Sequence, residues 1–211
     1  MIEASAMRRA AAAVLALGVI VLVTLFLTSK GALPWLGGEQ ANPFHGRDVT
    51  SENWAADFSL SDASGQARTL SDFRGKVVLL SFGYTHCPDV CPTTLAKFAE
   101  VRRLLGTDAQ RMQALFVTVD PARDSAQVLR SYVPKFDPSF IGLRGTTAQT
   151  DAAVSSFHAS YQINERHGEI EVDHTASTYL IDEQGKTRVV TPYDESARAL
   201  ADDVLVLLHN G

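Results

Sequence analysis

Cys87 and Cys91 are the two cysteines of this 211-residue chain, and three residues separate them. A thiolate is a nucleophile and a soft metal ligand, so a pair at this spacing can close a small disulfide loop or bind one metal ion. An iron–sulfur cluster or a structural zinc site uses four protein ligands, whereas two sulfur atoms and one imidazole suffice for Cu(I). The pair therefore indicates either redox chemistry or a copper site.

One histidine would complete a copper site of this kind, and His174 is the strongest candidate. It lies just before a predicted strand at 178–181, in a loop that we expect to face the cysteines. His86 is adjacent to Cys87, but neighbouring side chains often point apart. The other histidines of the chain are His45, His158, His167 and His209.

Structural explanations exist for each of these features. A cysteine pair in an exported domain is often a structural disulfide, and a single loop histidine is often a packing or surface residue. We interpret residues 120–124 as a turn that caps the following helix, and Asp89 and Asp173 as solvated carboxylates. Spacing alone does not choose between these explanations and a functional site.

Hydrophobic periodicity predicts an α/β domain. Apolar runs at 76–82 and 112–119 are typical of strands covered on both faces. Shorter strands are predicted at 58–60, 67–70, 178–181 and 188–190, and helices at 92–105, 125–136, 147–160 and 195–209. Alternating strands and helices followed by a late hairpin predict a thioredoxin-like domain, a mixed central sheet flanked by helices.

This order of elements places both cysteines at the turn between the strand 76–82 and the helix after it. In open α/β sheets, chemistry occurs beyond the carboxyl ends of the strands. Unpaired N–H groups and the helix dipole at such a turn favour a thiolate over a thiol. We therefore expect both cysteines to be reactive or metal-binding.

The N-terminal region reads as a membrane anchor. Residues 10–28 carry no charge, Arg8 and Arg9 precede them, and Lys30 follows. This run matches a bilayer-spanning helix and is longer than the apolar core of a cleaved signal peptide, which is the alternative. We expect a cytoplasmic N-terminus at 1–9, a transmembrane helix at 10–28, a linker at 29–53 and the folded domain at 54–210.

The resulting topology places the domain on the periplasmic side of the inner membrane, as a single-pass protein. Thiols tend to oxidise in that compartment. The net charge is −5 and no cluster of Lys or Arg follows the apolar run, which argues against a nucleic-acid partner.

Three motifs together carry a family resemblance. Residues 83–92 (GYTHCPDVCP), 119–124 (VDPARD) and 172–175 (VDHT) resemble, in the same order, the motifs of the Sco/SenC family of copper-binding, cytochrome c oxidase assembly proteins. The similarity spans residues 54–210. It implies a thioredoxin-like fold with one N-terminal membrane helix, and copper, as Cu(I) or also Cu(II), bound by Cys87, Cys91 and His174.

The resemblance also implies a partner, the subunit of cytochrome c oxidase that holds the dinuclear CuA centre. Family members deliver copper to that centre, reduce its cysteines, or do both. In the reductase role, Cys87 and Cys91 would be the catalytic redox pair. The copper donor and the thiol reductant are not identified by the sequence.

Two other classes of function compete with a copper chaperone. A thiol–disulfide oxidoreductase without metal would use the same cysteines, but thioredoxins have two intervening residues and a proline facing the pair. Here three residues intervene, and no proline occurs between Ser139 and Thr191. A peroxidase would need one reactive thiolate and would leave His174 without a role.

Overall fold

The computed structural model describes residues 14–26, 42–52, 54, 57–166 and 169–210. It divides into two units, Met1–Ala41 and Asn42–Gly211. In the first unit, helix α1 spans residues 14–26. Within the described ranges, no helix combines the length and apolarity needed to cross a bilayer. The ends of the predicted anchor 10–28, the N-terminus 1–9 and the linker up to residue 41 lie outside the described residues.

The second unit contains ten strands and four helices among its described residues. The strands are β1 (Arg47–Asp48), β2 (Ser59–Asp62), β3 (Ala67–Thr69), β4 (Val77–Gly83), β5 (Met112–Thr118), β6 (Ile141–Arg144), β7 (Tyr161–Arg166), β8 (Glu169–His174), β9 (Thr178–Ile181) and β10 (Thr187–Thr191). The helices are α2 (Val90–Leu105), α3 (Ala126–Tyr132), α4 (Thr147–Ser156) and α5 (Ala197–Asn210). Short 3-10 turns occupy Leu70–Phe73, Gly106–Arg111 and Val133–Lys135.

Eight strands form one mixed sheet in the order β1-β10-β9-β4-β5-β6-β2-β3. Strands β4, β5 and β6 run parallel, and β9 returns antiparallel beside β4. Every residue of β4 and β5 is buried, as expected for strands covered on both faces. The predicted thioredoxin-like α/β architecture is confirmed, with β4 at its centre.

Helix α2 follows directly from its sequence. Its apolar positions Leu95, Phe98, Val101 and Leu105 recur at helical spacing, and all are buried. The helix ends at Gly106, whose φ of 55° lies in the left-handed region that glycine adopts without strain. Packing of this face fixes the N-terminal end of α2 against the sheet, at the end of β4.

The two hairpin turns next to the core share one chemical pattern. Asp62 accepts hydrogen bonds from the N–H groups of Ser64 and Gln66 and from Arg68. Asp182 accepts hydrogen bonds from residues at the same offsets, namely the N–H groups of Gln184 and Lys186 and the side chain of Arg188. Gly65 and Gly185 supply the positive φ of 88° and 86° at the matching place. Burial alone would raise the pKa of Asp62, but the hydrogen bonds from Ser64, Arg68 and Gln66 outweigh it and hold the pKa at about 2.

The folded unit begins earlier than the sequence suggested. Residues 47–48, expected in the linker 29–53, form β1 and pair with β10. Phe44 and Val49 are buried in the core. The segment is rich in glycine and proline and has few periodic apolar positions, so the sequence alone predicts a tether. Its apolar residues are buried only because the edge of the sheet is available to pair with it.

Three strands in the second half of the chain, β6, β7 and β8, are not predicted by the sequence pattern. Strand β6 has only four residues and contains a glycine, and β7 and β8 form a separate two-stranded hairpin rich in polar residues. The predicted helix 147–160 ends at Ser156, and the backbone turns at His158, which has a φ of 52°. As a result, His174 lies at the end of a strand rather than in a free loop.

The segment just before β1 is attached to α5 by the carboxylate of Asp203. This attachment provides a test of the earlier domain boundary. Asp203 is fully buried and accepts hydrogen bonds from the N–H groups of His45 at 2.7 Å and Gly46 at 3.0 Å. We expect Asp203→Asn to lower the free energy of unfolding by about 1–3 kcal/mol, because an amide cannot accept both bonds. Urea denaturation measures this change.

The neighbouring Asp202→Asn variant is the control, because the Asp202 side chain is 45% exposed and faces His45 across 3.8 Å. Its effect should stay within about 0.5 kcal/mol. Equal stability losses in the two variants would show that Asp203 does not hold the segment in place.

Candidate metal centre

Cys87, Cys91 and His174 converge at the carboxyl end of β4. One ligand atom from each, the two Sγ atoms and a ring nitrogen, all lie within 4.8 Å of one another. The Sγ of Cys91 is 3.5 Å from Nε2 of His174. These are the three residues that the sequence singled out, brought together from positions up to 87 apart in the chain (174 − 87). The group has the soft sulfur and imidazole donors that copper or zinc prefers.

The turn between β4 and α2 sets the positions of the two sulfur atoms. Cys87 lies in the loop and is partly buried, whereas Cys91 is the second residue of α2 and is buried. The backbone N–H of Cys91 donates to Sγ of Cys87 at 3.4 Å. An N–H group at the start of a helix stabilises negative charge on that sulfur atom. Cys87 therefore presents a partly exposed sulfur atom that a backbone N–H group contacts from the start of α2.

Cys91 differs from the expectation that the turn favours thiolates at both positions. It is only 2% exposed, and burial raises the pKa of its thiol well above the usual range. A backbone hydrogen bond from Tyr84 acts in the opposite direction but does not compensate. The helix dipole is outweighed by loss of water, so Cys91 carries its proton in the metal-free protein at neutral pH.

The pairing of β9 with β4 brings His174 to the cysteines. Thr178, the first residue of β9, pairs with Ser81 near the end of β4, so the chain just before β9 returns to the strand-to-helix turn. Nδ1 of His174 lies 3.0 Å from the carbonyl oxygen of Thr175. Because a carbonyl can only accept, Nδ1 carries the proton and Nε2 presents its lone pair to Cys91. Burial also lowers the pKa of His174, which keeps the ring neutral.

A cleft of about 270 Å³ opens beside this cluster. Its lining residues are Tyr84, Cys87, Pro88, Asp89, Val90, Val172, Asp173, His174 and Ala176. The ring of Tyr84 meets that of His174 edge-on at 6.0 Å. Asp89 and Asp173 are exposed and are not members of the three-residue cluster, in keeping with their interpretation as solvated carboxylates. The cleft gives solvent and partners access to Cys87.

The other described histidines do not join the cluster. His86 is exposed, with Nδ1 3.7 Å from a carboxylate oxygen of Asp124. His45 and His209 lie near other aspartates, and His158 packs against the ring of Trp54. His167 lies outside the described residues.

Asp124 has a structural role beside the site that its position in the sequence does not reveal. This carboxylate is fully buried and accepts hydrogen bonds from Thr85 N–H at 3.0 Å, Thr85 Oγ1 at 2.5 Å and Thr118 Oγ1 at 2.5 Å. It therefore holds the loop that carries Cys87. The helix cap assigned to this segment is instead made by Ser125, whose side chain accepts from the N–H of Val128. Asp124 lies six residues after the end of β5, and no local pattern distinguishes it from an aspartate that caps a helix.

Comparisons with known proteins agree with the fold. Human mitochondrial SCO2 homolog is 38% identical over 152 residues, which cover 70% of this chain and 57% of that protein. Bradyrhizobium japonicum ScoI with copper bound superposes with a TM-score of 0.66 at 36% identity, over 72% of this chain and 98% of that one. Apo Sco1 from Thermus thermophilus gives 0.71 at 36% identity, over 81% and 99%.

The fold and the site define a thioredoxin-like domain with a Cys–Cys–His cluster at the end of its central strand. The sequence profile of the family described as SCO1/SenC matches residues 47–209. The chain belongs to the SCO1/SenC family. It spans only 57% and 52% of the lengths of the human and mouse SCO2 homologs that it matches.

Gly83 permits the close approach of Cys91 to β4, which leads to a testable prediction. A Cβ atom at this position would lie 2.7 Å from Sγ of Cys91 and 2.8 Å from the ring of Phe116. We expect Gly83→Ala to cost about 1–3 kcal/mol of stability and to push Cys91 toward the cleft. Alkylation of the Cys91 thiol should then become faster than in the unchanged protein.

Gly142→Ala is the matched control, because its Cβ would also crowd neighbours, at 3.0 Å from Val133 and 3.2 Å from Leu129, but in β6. It should lower stability without changing alkylation of either cysteine. If both variants alter alkylation equally, general loosening rather than displacement of Cys91 is responsible.

Proposed function

We propose that this protein binds copper through Cys87, Cys91 and His174 and serves in the assembly of the CuA centre of cytochrome c oxidase. The observation that carries the proposal is the convergence of three soft donor atoms within 4.8 Å. Membership of the SCO1/SenC family supports the biological role. The partner that follows is the oxidase subunit that holds the copper centre.

The donor set favours copper over the other metals that bind sulfur. Structural zinc uses four protein ligands and iron–sulfur clusters use four thiolates, whereas two sulfur atoms and an imidazole suit Cu(I). Solved structures of relatives from Bradyrhizobium japonicum, Arabidopsis thaliana and yeast are described with copper bound. These relatives support Cu(I), or Cu(II), as the cargo of this chain.

The two cysteines have environments suited to holding and releasing a metal ion. Cys91 lies in the protein interior, whereas Cys87 and His174 are partly buried and both line the cleft. Cys87 lines the open cleft, so an incoming thiolate from an acceptor protein can replace it first. Asp124 and the Thr175 carbonyl orient the loop and the imidazole, which reduces the reorganisation needed for rebinding. This arrangement fits a protein that transfers its metal.

A thiol-reductase activity is a second candidate, favoured by the free and adjacent cysteines. The thiolate of Cys87 would attack a disulfide of the target and form a mixed disulfide. Cys91 would then attack Cys87, which releases the target as a dithiol and leaves the Cys87–Cys91 disulfide. The two roles use the same residues and differ in whether His174 is required.

We also propose that residues 10–28 anchor the protein in the inner membrane with the domain on the periplasmic side. The charge-free run and the preceding Arg8 and Arg9 support this topology. In spheroplasts, a protease that cannot cross the membrane should digest the domain, and the intact protein should stay in the membrane fraction. These two measurements test the topology.

Removal of the imidazole is the most direct test of the copper site. We expect His174→Ala to weaken copper retention by more than about 100-fold, since loss of a ligand should exceed the effect of an outer-shell change. Competition with a chelator of known affinity measures the loss, and circular dichroism verifies the fold. Disulfide reduction by the metal-free variant should stay unchanged if that activity exists.

His86→Ala is the matched control, because His86 lies next to Cys87 yet outside the cluster. Its copper retention should equal that of the unchanged protein. Copper retention that is insensitive to loss of His174 would refute the ligand assignment and leave the reductase as the better proposal.

Copper loading should release a proton from the buried cysteine. Burial raises the pKa of Cys91 and lowers the pKa of His174, so at neutral pH the thiol is protonated and the imidazole is not. Apparent copper affinity should therefore rise with pH, by up to about tenfold per unit for one released proton. Chelator competition between about pH 6 and pH 8 would reveal it, and a flat profile would contradict it.

A further inference from the structure

The hairpin that carries His174 is separate from the main sheet. Strands β7 and β8 pair only with each other among the described strands. Tyr161 pairs with His174 at the base of the hairpin, and Thr175 N–H donates to the Ser160 carbonyl at 2.9 Å. These bonds close the hairpin but do not attach it to the loop that carries Cys87. The distance between the imidazole and the sulfur atoms therefore depends on contacts between the two segments.

Arg123 lies between these two segments. Its Nη1 donates a long hydrogen bond of 3.5 Å to the carbonyl oxygen of Ile170 in β8. Its guanidinium carbon lies 5.8 Å from the centre of the Tyr84 ring, within the range of a cation–π contact. Tyr84 precedes Cys87 in the loop and also meets the ring of His174 edge-on. One side chain thus touches both halves of the site.

Arg123 is itself held in place. Its Nε donates to the carboxylate of Asp120, which is buried at the start of the same loop. Asp124, the next residue, binds the Cys87 loop through Thr85. The loop between β5 and α3 is therefore rigidly connected to the cysteines on one side and reaches the hairpin through Arg123 on the other.

We propose that Arg123 is a positioning residue that holds the β7–β8 hairpin, and with it His174, at the distance from Cys87 and Cys91 that a shared metal ion requires. The inference rests on the copper-binding function proposed above. An arginine is needed because its planar guanidinium can meet a carboxylate, a carbonyl and an aromatic face at once. A lysine ammonium can keep the ion pair but not all three contacts.

Arg123→Lys in the full-length chain is the primary test, because it keeps a cation beside the buried Asp120 and so preserves the fold. Arg123→Gln is a second variant that removes the charge as well. The control is Arg103→Lys, since Arg103 pairs with Glu100 at the same three-residue spacing but on the exposed surface of α2. Copper retention is measured by chelator competition, and mobility of the hairpin by amide hydrogen exchange in metal-free protein.

We expect Arg123→Lys to weaken copper retention about tenfold, within the range for residues that orient a ligand. Amides of residues 170–174 should exchange faster, while those of β4 and β5 and all amides of the Arg103→Lys control stay unchanged. Unchanged copper retention together with unchanged exchange of residues 170–174 would overturn the proposal.

A double variant separates positioning from general destabilisation. If Arg123 acts through His174, Arg123→Lys combined with His174→Ala should retain copper as well as His174→Ala alone. If the double variant instead loses copper retention by the product of the two single-variant losses, this role is overturned. If the unchanged protein does not bind copper, the proposed function is wrong. Amide hydrogen exchange in the Arg123→Lys variant then still shows whether Arg123 holds the β7–β8 hairpin in place.

Discussion

The antiparallel pairing of β9 with β4 brings the three donor atoms together. Because Thr178 pairs with Ser81, the segment before β9 reaches the same end of the sheet where β4 turns into α2. A register shift of one residue would move every side chain of β9 to the opposite face, including the fully buried Leu180. Core packing therefore fixes the register, and the register in turn fixes the place at which His174 meets the cysteines.

The same burial that builds the core also sets the chemistry of the site. Loss of water raises the pKa of Cys91 and lowers that of His174, so both groups are neutral when no metal is bound. Cys87 stays partly exposed and receives an N–H from the start of α2. The site thus combines one buried sulfur atom with a sulfur atom and an imidazole that line the cleft, an asymmetry that suits exchange with another protein.

The loop between β5 and α3 supports the site without supplying a donor. Arg144, at the end of β6, donates to the carbonyl oxygens of Pro121 at 3.0 Å and Asp124 at 3.1 Å and so holds the loop against the sheet. Asp124 then holds Thr85 in the cysteine loop. Loss of this buried carboxylate would leave its three hydrogen-bond donors unpaired. The motif at 119–124 therefore supports the metal site by holding the loop that carries Cys87.

The sequence by itself determined the fold class, the central strands and α2, because continuous apolar runs and helical spacing are local signals. It also identified Cys87, Cys91 and His174, from the chemistry of their side chains and from motifs typical of one family. Tertiary structure alone decided that residues 47–48 close the sheet edge, that β8 carries His174, and that Asp124 is a buried support. Each of these depends on pairing or burial between distant segments, for which no local pattern exists. The protonation of Cys91 was likewise decided by depth in the fold, since burial outweighs the helix dipole.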